Sequence, residues 1–268
     1  MNYTYGRQWI DEEDIQAVAD VLRSDLITQG PKIDEFEKAL TESCGAKYAV
    51  AVNSGTSALH IACLAAGAGA GDEVITSPIT FVASANCAAY CGSTPVFADI
   101  DPQTYNISVS EIEKKITDRT KIIIPVDFAG QSADMESVYD LAKEKGRELN
   151  KKIFVIEDAS QAQGSYYKGK AVGSCAFSDM TVMSFHPVKH ITTGEGGAVL
   201  TNDEELYKKL RRLRNHGITN IPGDFVNRED AFQHIDGKLS EAANPWYYEQ
   251  IDLGYNYRIT DIQCALGI

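Results

Sequence analysis

Basic side chains are scarce in this 268-residue sequence. It has 25 Lys and Arg against 38 Asp and Glu, which gives a formal net charge of −13. Proteins hold the phosphate backbone of nucleic acids with clustered Lys and Arg, so this balance argues against a nucleic-acid-binding protein. Long apolar runs are also lacking, because the longest, at 59–70, is interrupted by glycines and is too short to span a membrane. The first residues lack the basic start and apolar core of a signal peptide, and we predict a cytoplasmic protein.

Cysteines are few and scattered, and metal-binding motifs are missing. An even number of cysteines implies disulfides only in a small secreted chain, which this is not. Cys87 and Cys91 have helical spacing in an apolar segment, so we interpret them as buried, reduced thiols. A zinc site would need a second pair or nearby histidines. His186 and His190 are four residues apart, but Pro187 lies between them and the Glu of an H-E-x-x-H motif is absent, so we predict no metal site.

Short β-rich runs alternate with helical segments through the middle of the sequence. The predicted strands are 48–54, 73–78, 95–100, 121–127, 153–158, 181–185 and 197–202. Most are near-continuous apolar runs, which is typical of strands covered on both faces. The predicted helices are 11–23, 56–66, 82–90, 110–116, 134–145 and 203–214. This rhythm predicts an α/β fold with a seven-stranded, mostly parallel sheet and crossover helices.

The segments that flank this large domain have a different character. Residues 1–31 are predicted to form an N-terminal helix and a turn, and residues 32–217 the large α/β domain. Residues 218–268 begin with a polar stretch, 218–250, which we interpret as a long functional or mobile loop. A helix then starts near Asp261 and the sequence stops without a helix-ending signal. We therefore expect a fragment that lacks a C-terminal small domain.

The carboxyl ends of the predicted strands carry groups that could bind an anion and a ring. Ligands of open parallel sheets bind at these ends. After the first strand, the N–H groups of Gly55, Thr56 and Ser57 open a helix and could hold a phosphate, although an ordinary helix cap is the alternative. The segment lacks the Lys of a P-loop and the G-x-G-x-x-G motif. After the second strand comes Phe81, which could contact a ligand or belong to the core.

Two charged residues complete the set. Asp158 ends the fifth strand, and a carboxylate buried there needs a cation unless it only caps a helix. Lys189 lies in a glycine-rich turn between the sixth and seventh strands, where desolvation would lower the pKa of its amine and make it nucleophilic. A phosphate cradle, an aromatic ring, a carboxylate and a lysine together describe a site for pyridoxal 5′-phosphate (PLP). That cofactor needs a lysine for its Schiff base and a carboxylate beside its pyridine nitrogen.

Six segments carry a resemblance to a known family: LITQGP, NSGTSALH, ITFVASANC, EDASQAQG, SFHPVKHITTGEGG and LGYNYRITDIQCALG. Over essentially its whole length the chain resembles the fold-type I, PLP-dependent sugar aminotransferases of the DegT/DnrJ/EryC1/StrS family. Segments such as PWYYE are most similar to members that act on a UDP-linked 4-keto-6-deoxy-N-acetyl amino sugar in pseudaminic acid synthesis. The implied reaction moves an amino group from an amino acid, with L-glutamate expected as the donor, to the 4-keto sugar.

The resemblance also implies a role for each matching residue. Lys189 would form the Schiff base, Asp158 would pair with the pyridine nitrogen, and Gln161 would hydrogen-bond near the phenolic oxygen. Residues implied to hold the phosphate are Thr56, Ser57 and Ser184, and the one implied to lie against the ring is Phe81. Asn256 would reach the phosphate region of a neighbouring subunit, which implies a homodimer. Residues implied to touch the substrate are Tyr5, Leu26, Ile27, Thr28 and Gly55.

Other functions remain as alternatives. Many relatives have His where this chain has Gln161, which can still donate a hydrogen bond. A PLP- or PMP-dependent sugar dehydratase of the same fold would carry His in place of Lys189. A 4-aminotransferase for another nucleotide sugar is a second alternative. A non-catalytic ligand-binding relative is a third, although none of these residues supports it. A doubly wound hydrolase or reductase would need the G-x-S-x-G or G-x-G-x-x-G motif, and neither is present.

Overall fold

The structure, a computed structural model, describes residues 6–235 and 238–268. The substrate contact expected at Tyr5 lies outside the described residues. The helices are α1 (Glu12–Arg23), α2 (Pro31–Cys44), α3 (Gly55–Ala65), α4 (Ala83–Tyr90), α5 (Val109–Lys115), α6 (Met135–Glu148), α7 (Glu204–Arg214), α8 (Arg228–Ala231) and α9 (Asp261–Gly267). None of the helices in the described ranges is long and apolar enough to cross a membrane.

The strands are β1 (Tyr48–Val52), β2 (Glu73–Thr76), β3 (Thr94–Phe97), β4 (Thr120–Ile124), β5 (Phe154–Asp158), β6 (Tyr166–Tyr167), β7 (Lys170–Ala171), β8 (Met180–Ser184), β9 (Gly197–Thr201), β10 (Ile218–Thr219), β11 (Phe232–Ile235), β12 (Lys238–Ala243) and β13 (Glu249–Gln250). Seven of them form one sheet in the order β1-β9-β8-β5-β4-β2-β3. The pairs from β8 through β5, β4 and β2 to β3 are parallel, and β9 pairs antiparallel with both β1 and β8. The predicted seven-stranded, mostly parallel sheet is confirmed.

Helices cover both faces of this sheet, as the apolar strands predicted. Along β4, Ile122 and Ile124 pack into one hydrophobic cluster with α3 and α7, whereas Ile123 packs into another with α6. Alternate residues of a strand point to opposite faces, so a run of isoleucines can fill two cores at once. All three side chains are fully buried.

Helix α2 was not predicted. Its apolar residues Ile33, Phe36 and Leu40 have helical spacing and are buried, and Gly45 ends the helix in the left-handed conformation, with φ +77°. Its N-cap, Gly30, offers no side chain. Instead, the carboxylate of Asp261, from α9, accepts hydrogen bonds from the N–H groups of Gly30 (2.8 Å) and Lys32 (2.9 Å).

The prediction of a long loop at 218–250 is wrong for much of that stretch. It contains the antiparallel pair β11–β12 and the short helix α8, and β10 pairs with β13. Phe225 and Phe232 are buried in a small cluster against Tyr247. Local aromatic packing therefore orders a segment whose composition is mostly polar. The predicted boundaries at 31 and 217 are not tested by this geometry and stay predictions.

The segment between Gly217 and Gly254, which we call the excursion, begins and ends at the same place, because these two glycines lie against each other. Gly217 has φ +71°, and a Cβ there would lie 1.7 Å from the carbonyl oxygen of Asp252. A Cβ on Gly254 would lie 2.0 Å from the nitrogen of Gly217. The N–H of His216 donates to the carbonyl of Tyr255 at 2.9 Å. Only glycine allows this approach, which joins the chain before β10 to the chain after β13.

Candidate active site

The first turn of α3 lies at the carboxyl end of β1, beside a cavity. Ser54 caps the helix, and its Oγ accepts a hydrogen bond from the N–H of Ser57 at 3.1 Å. Gly55 lies against the neighbouring strand, because a Cβ there would be 2.9 Å from the Cβ of Ser184. Among the described residues, the N–H groups of Gly55 and Thr56 have no hydrogen-bond partner. An anion in the cavity would find these donors and the positive end of the helix dipole.

The cavity has a volume of about 460 Å³, which is in the range of small-molecule sites. Seven residues singled out from the sequence line it: Gly55, Thr56, Phe81, Asp158, Gln161, Ser184 and Lys189. They follow the carboxyl ends of β1, β2, β5 and β8. This is where ligands of open parallel sheets are expected to bind.

Asp158 is buried at the end of β5, with 4% of its surface exposed. Its Oδ2 accepts a hydrogen bond from the hydroxyl of Ser84 at 2.7 Å, and its Oδ1 accepts one from the N–H of Ser160 at 3.2 Å. In the described ranges, no Lys, Arg or His nitrogen lies within 4.0 Å of this carboxylate. A buried carboxylate without a cation is costly, so the site is suited to a ligand that brings a protonated nitrogen.

Lys189 lies across the same cavity, in the turn that follows β8. Its side chain is half-buried, and its N–H donates to the carbonyl of His186 at 2.8 Å. Burial lowers the pKa of the Lys189 amine below its ordinary value, and the negative charge of Asp158 opposes that shift. Within the part of the chain that the structure describes, the amine forms no ion pair. It is therefore available to react with a carbonyl group.

Phe81 is 71% exposed and lines the cavity. The alternative of a core position is wrong, because most of the ring is accessible to solvent. An aromatic face at the rim could stack against a planar ligand.

Other predicted residues lie outside the cavity. The hydroxyl of Ser57 is used within the turn, where it donates to Oδ1 of Asn53 at 2.6 Å. Asn256 is exposed, and its backbone forms an isolated bridge with Asn215. The turn 26–28 is not part of the cavity lining either. The roles predicted for Ser57, Asn256, Leu26, Ile27 and Thr28 stay predictions.

Ser84 was missed in the sequence, although it makes the shortest hydrogen bond to Asp158. Its hydroxyl also lies 2.8 Å from that of Thr80. The available signal was its position in the first turn of α4, one turn after Phe81. Phe128 and Glu195 also line the cavity without having been predicted.

The cysteines are free thiols, as expected, and Cys91 is the one that is only partly buried. Within 6–235 and 238–268, no group of three or more His, Cys, Asp or Glu residues could hold a metal ion.

Known proteins resemble this chain over nearly its whole length. Residues 8–268 match the DegT/DnrJ/EryC1/StrS aminotransferase family. A UDP-4-amino-4,6-dideoxy-N-acetyl-beta-L-altrosamine transaminase of Campylobacter jejuni is 42% identical over 99% of this chain and 63% of its own length. PseC of Helicobacter pylori, an aminotransferase involved in the biosynthesis of pseudoaminic acid, superposes with a TM-score of 0.84 at 38% identity, covering 100% of this chain and 64% of PseC.

A third match bears on the cofactor. The candidate sugar aminotransferase Spr1654 of Streptococcus pneumoniae, solved in a PLP form, has a TM-score of 0.84 at 32% identity, and the match covers 100% of this chain and 65% of Spr1654. The chain thus spans somewhat less than two thirds of the length of the relatives it matches. Aminotransferases of this family are PLP-dependent, which agrees with the cofactor predicted from the sequence. The chain belongs to the DegT/DnrJ/EryC1/StrS aminotransferase family.

Proposed function

We propose that this chain is the cofactor-binding part of a PLP-dependent nucleotide-sugar aminotransferase. One observation carries the proposal: the buried carboxylate of Asp158 shares a cavity with the half-buried amine of Lys189, and neither group has an ion-pair partner among the described residues. PLP would satisfy both groups, since its pyridine nitrogen is a base and its aldehyde reacts with amines. Its phosphate would lie at the first turn of α3, near Thr56 and Ser184.

The residues of the cavity would each make a separate contribution. Asp158, held by the hydroxyl of Ser84, would keep a proton on the ring nitrogen. Phe81 would cover one face of the ring. When bound, PLP supplies an electron-withdrawing ring that stabilises negative charge on the substrate carbon. With its pKa lowered by burial, Lys189 would act as the base that takes the proton from the Cα of the amino donor and as the acid that delivers it to C4′ of the cofactor.

The finer assignment rests on the resemblance and on the relatives' names. The proposed acceptor is a UDP-linked 4-keto-6-deoxy-N-acetyl amino sugar of pseudaminic acid synthesis, and the proposed donor is L-glutamate. The proposed assembly is a homodimer in which Asn256 serves the partner's phosphate site. The alternative is a 4-aminotransferase for another nucleotide sugar. The cytoplasmic location stays a prediction.

Cofactor attachment tests the core of this proposal. The chain incubated with PLP should develop a visible absorption band, and borohydride reduction should fix one cofactor on the peptide that contains Lys189. The Lys189→Ala variant should show neither, because no other lysine lines the described cavity. Lys170→Ala, which removes an exposed lysine outside it, is the matched control and should behave like the wild type. Equal reduction of PLP onto the Lys189→Ala protein would contradict the assignment.

Turnover tests the substrate. A panel of UDP- and dTDP-linked 4-keto sugars with glutamate should show the highest rate for a UDP sugar. Asp158→Asn keeps the shape but removes the charge, so it should bind PLP and lower the rate about 100-fold or more. Near-wild-type turnover by Asp158→Asn would mean that this residue has only a structural role, in the turn that follows β5.

A further inference from the structure

The amide of Gln161 has a fixed direction in the cavity wall. The N–H of Ala129 donates to Oε1 of Gln161 at 2.8 Å. Because a backbone N–H can only donate, it must face the oxygen of the amide, and the NH₂ group must then point away from Ala129. Gln161 also lines the cavity. With Oε1 paired to Ala129, the NH₂ group is the part of this side chain that remains to donate a hydrogen bond to a ligand there.

The segment that fixes this direction is an unusual turn at 127–133. Ala129 has φ +55°, in the left-handed region that a residue with a Cβ adopts at a cost. Gly130 has φ +89°, and a Cβ there would lie 3.0 Å from the carbonyl oxygen of Gln161. The turn thus packs closely against the backbone of Gln161. Because its conformation is unfavourable on its own, other residues must stabilise it.

Asn106 provides that support from outside the cavity. Its side chain is buried, with 4% exposed, and makes three hydrogen bonds to the backbone of the turn. Oδ1 accepts from the N–H of Phe128 at 3.0 Å, and Nδ2 donates to the carbonyls of Gln131 and Ser132, both at 3.0 Å. These bonds hold the residues on both sides of Ala129, so they fix the direction of its N–H.

We propose that Asn106 is a positioning residue that acts through the 127–133 turn to present the Gln161 amide to the cofactor as a hydrogen-bond donor. The proposal rests on the proposed function, because the acceptor is the phenolic oxygen of PLP. A donor beside an oxygen stabilises its anionic form and lowers its proton affinity. Asn106 thereby contributes to the pKa of the bound chromophore without touching it.

The test is a spectroscopic pH titration of the protein loaded with PLP. Asn106→Ala should raise the pKa of the bound chromophore by about half a unit to one unit, the size expected for one weakened hydrogen bond. Gln161→Ala should raise it by about one unit. The double variant should shift no further than Gln161→Ala alone, because both changes remove the same donor. If Asn106→Ala does not fold, Asn106→Ser, which keeps a hydroxyl for Phe128, gives the same comparison.

Asn202→Ala is a matched control. The side chain of Asn202 also makes three hydrogen bonds to backbone, with Lys47, Ser174 and Cys175, but none of these partners belongs to the 127–133 turn. It should leave the chromophore pKa unchanged even where it lowers stability.

Two results would overturn the inference while leaving the cofactor in place: an unshifted pKa in Asn106→Ala, or shifts that add in the double variant. A wild-type protein without a visible band would overturn the proposed function and this inference with it.

Discussion

Helices α2 and α3 begin in similar ways but are completed differently. Each starts beside a glycine, and each presents N–H groups that no preceding turn can satisfy. At α2, a fully buried carboxylate from the same chain, Asp261, accepts two of these N–H groups. At α3, Ser54 accepts from the N–H of Ser57, while Gly55 and Thr56, whose N–H groups have no partner among the described residues, line a cavity.

The difference shows what turns a structural feature into a binding feature. A helix N-terminus attracts negative charge in either case. Where the chain supplies the charge, the interaction contributes to folding. Where it does not, the same donors can bind an anion of a ligand. The next three experiments test this contrast.

The largest effect is expected at the closed helix. Asp261→Ala leaves the partly buried N–H groups of Gly30 and Lys32 without an acceptor, so the free energy of unfolding should fall by about 3 kcal/mol. Asp203→Ala is the control, because Asp203 also accepts from two N–H groups, at the start of α7, but it is exposed. Asp203→Ala should lower the free energy of unfolding by about 1 kcal/mol. Denaturant unfolding measures both, and equal losses would contradict the distinction.

An intermediate effect is expected at the helix that faces the cavity. Gly55→Ala places a Cβ 2.9 Å from the Cβ of Ser184, so either the helix start or Ser184 must move. The affinity for PLP should fall about tenfold, which corresponds to the lower range of overpacking costs. Gly69→Ala is the control, since a Cβ there meets nothing within 4 Å. A spectroscopic titration with PLP gives the dissociation constants, and unchanged affinity in Gly55→Ala would argue against a phosphate at this helix.

The smallest effect is expected from inorganic phosphate alone. At a concentration equal to its dissociation constant, phosphate should raise the free energy of unfolding by about 0.4 kcal/mol. This increase in the free energy of unfolding should be unchanged in Asp261→Asn and smaller in Gly55→Ala. Because phosphate also stabilises proteins by exclusion from their surface, the comparison between variants at one concentration is the measurement. Equal increments in Gly55→Ala and the wild type would assign the effect to that general mechanism.

The sequence was informative wherever the relevant signal is local. The strands are continuous apolar runs, so they could be predicted directly. Because ligands bind at strand ends, we could also expect Asp158 and Lys189 to lie close together. The cap of α2 was not accessible in this way, because Gly30 and Asp261 are 231 residues apart. The partner of Asp158 is similarly remote, since Ser84 precedes it by 74 residues.

The β11–β12 pair was missed for a different reason. Residues 238–243, KLSEAA, contain no β-branched or aromatic side chain, so propensity gives no strand signal. This strand pairs only with β11 in the described structure, and the neighbouring Phe225, Phe232 and Tyr247 provide the packing. Short polar strands that depend on one partner are difficult to identify before the partner is known.

The meeting of Gly217 and Gly254 has a consequence for how this fold can diversify. Since the chain leaves and re-enters the domain at one point, the excursion between these residues is a closed loop attached to a fixed base. The entropy of closing such a loop depends only weakly on its length: halving it changes the cost by about 0.6 kcal/mol. The segment can therefore be shortened, lengthened or exchanged with little effect on the sheet. Variation in sequence and length can concentrate there, while the cavity residues at the strand ends stay in place.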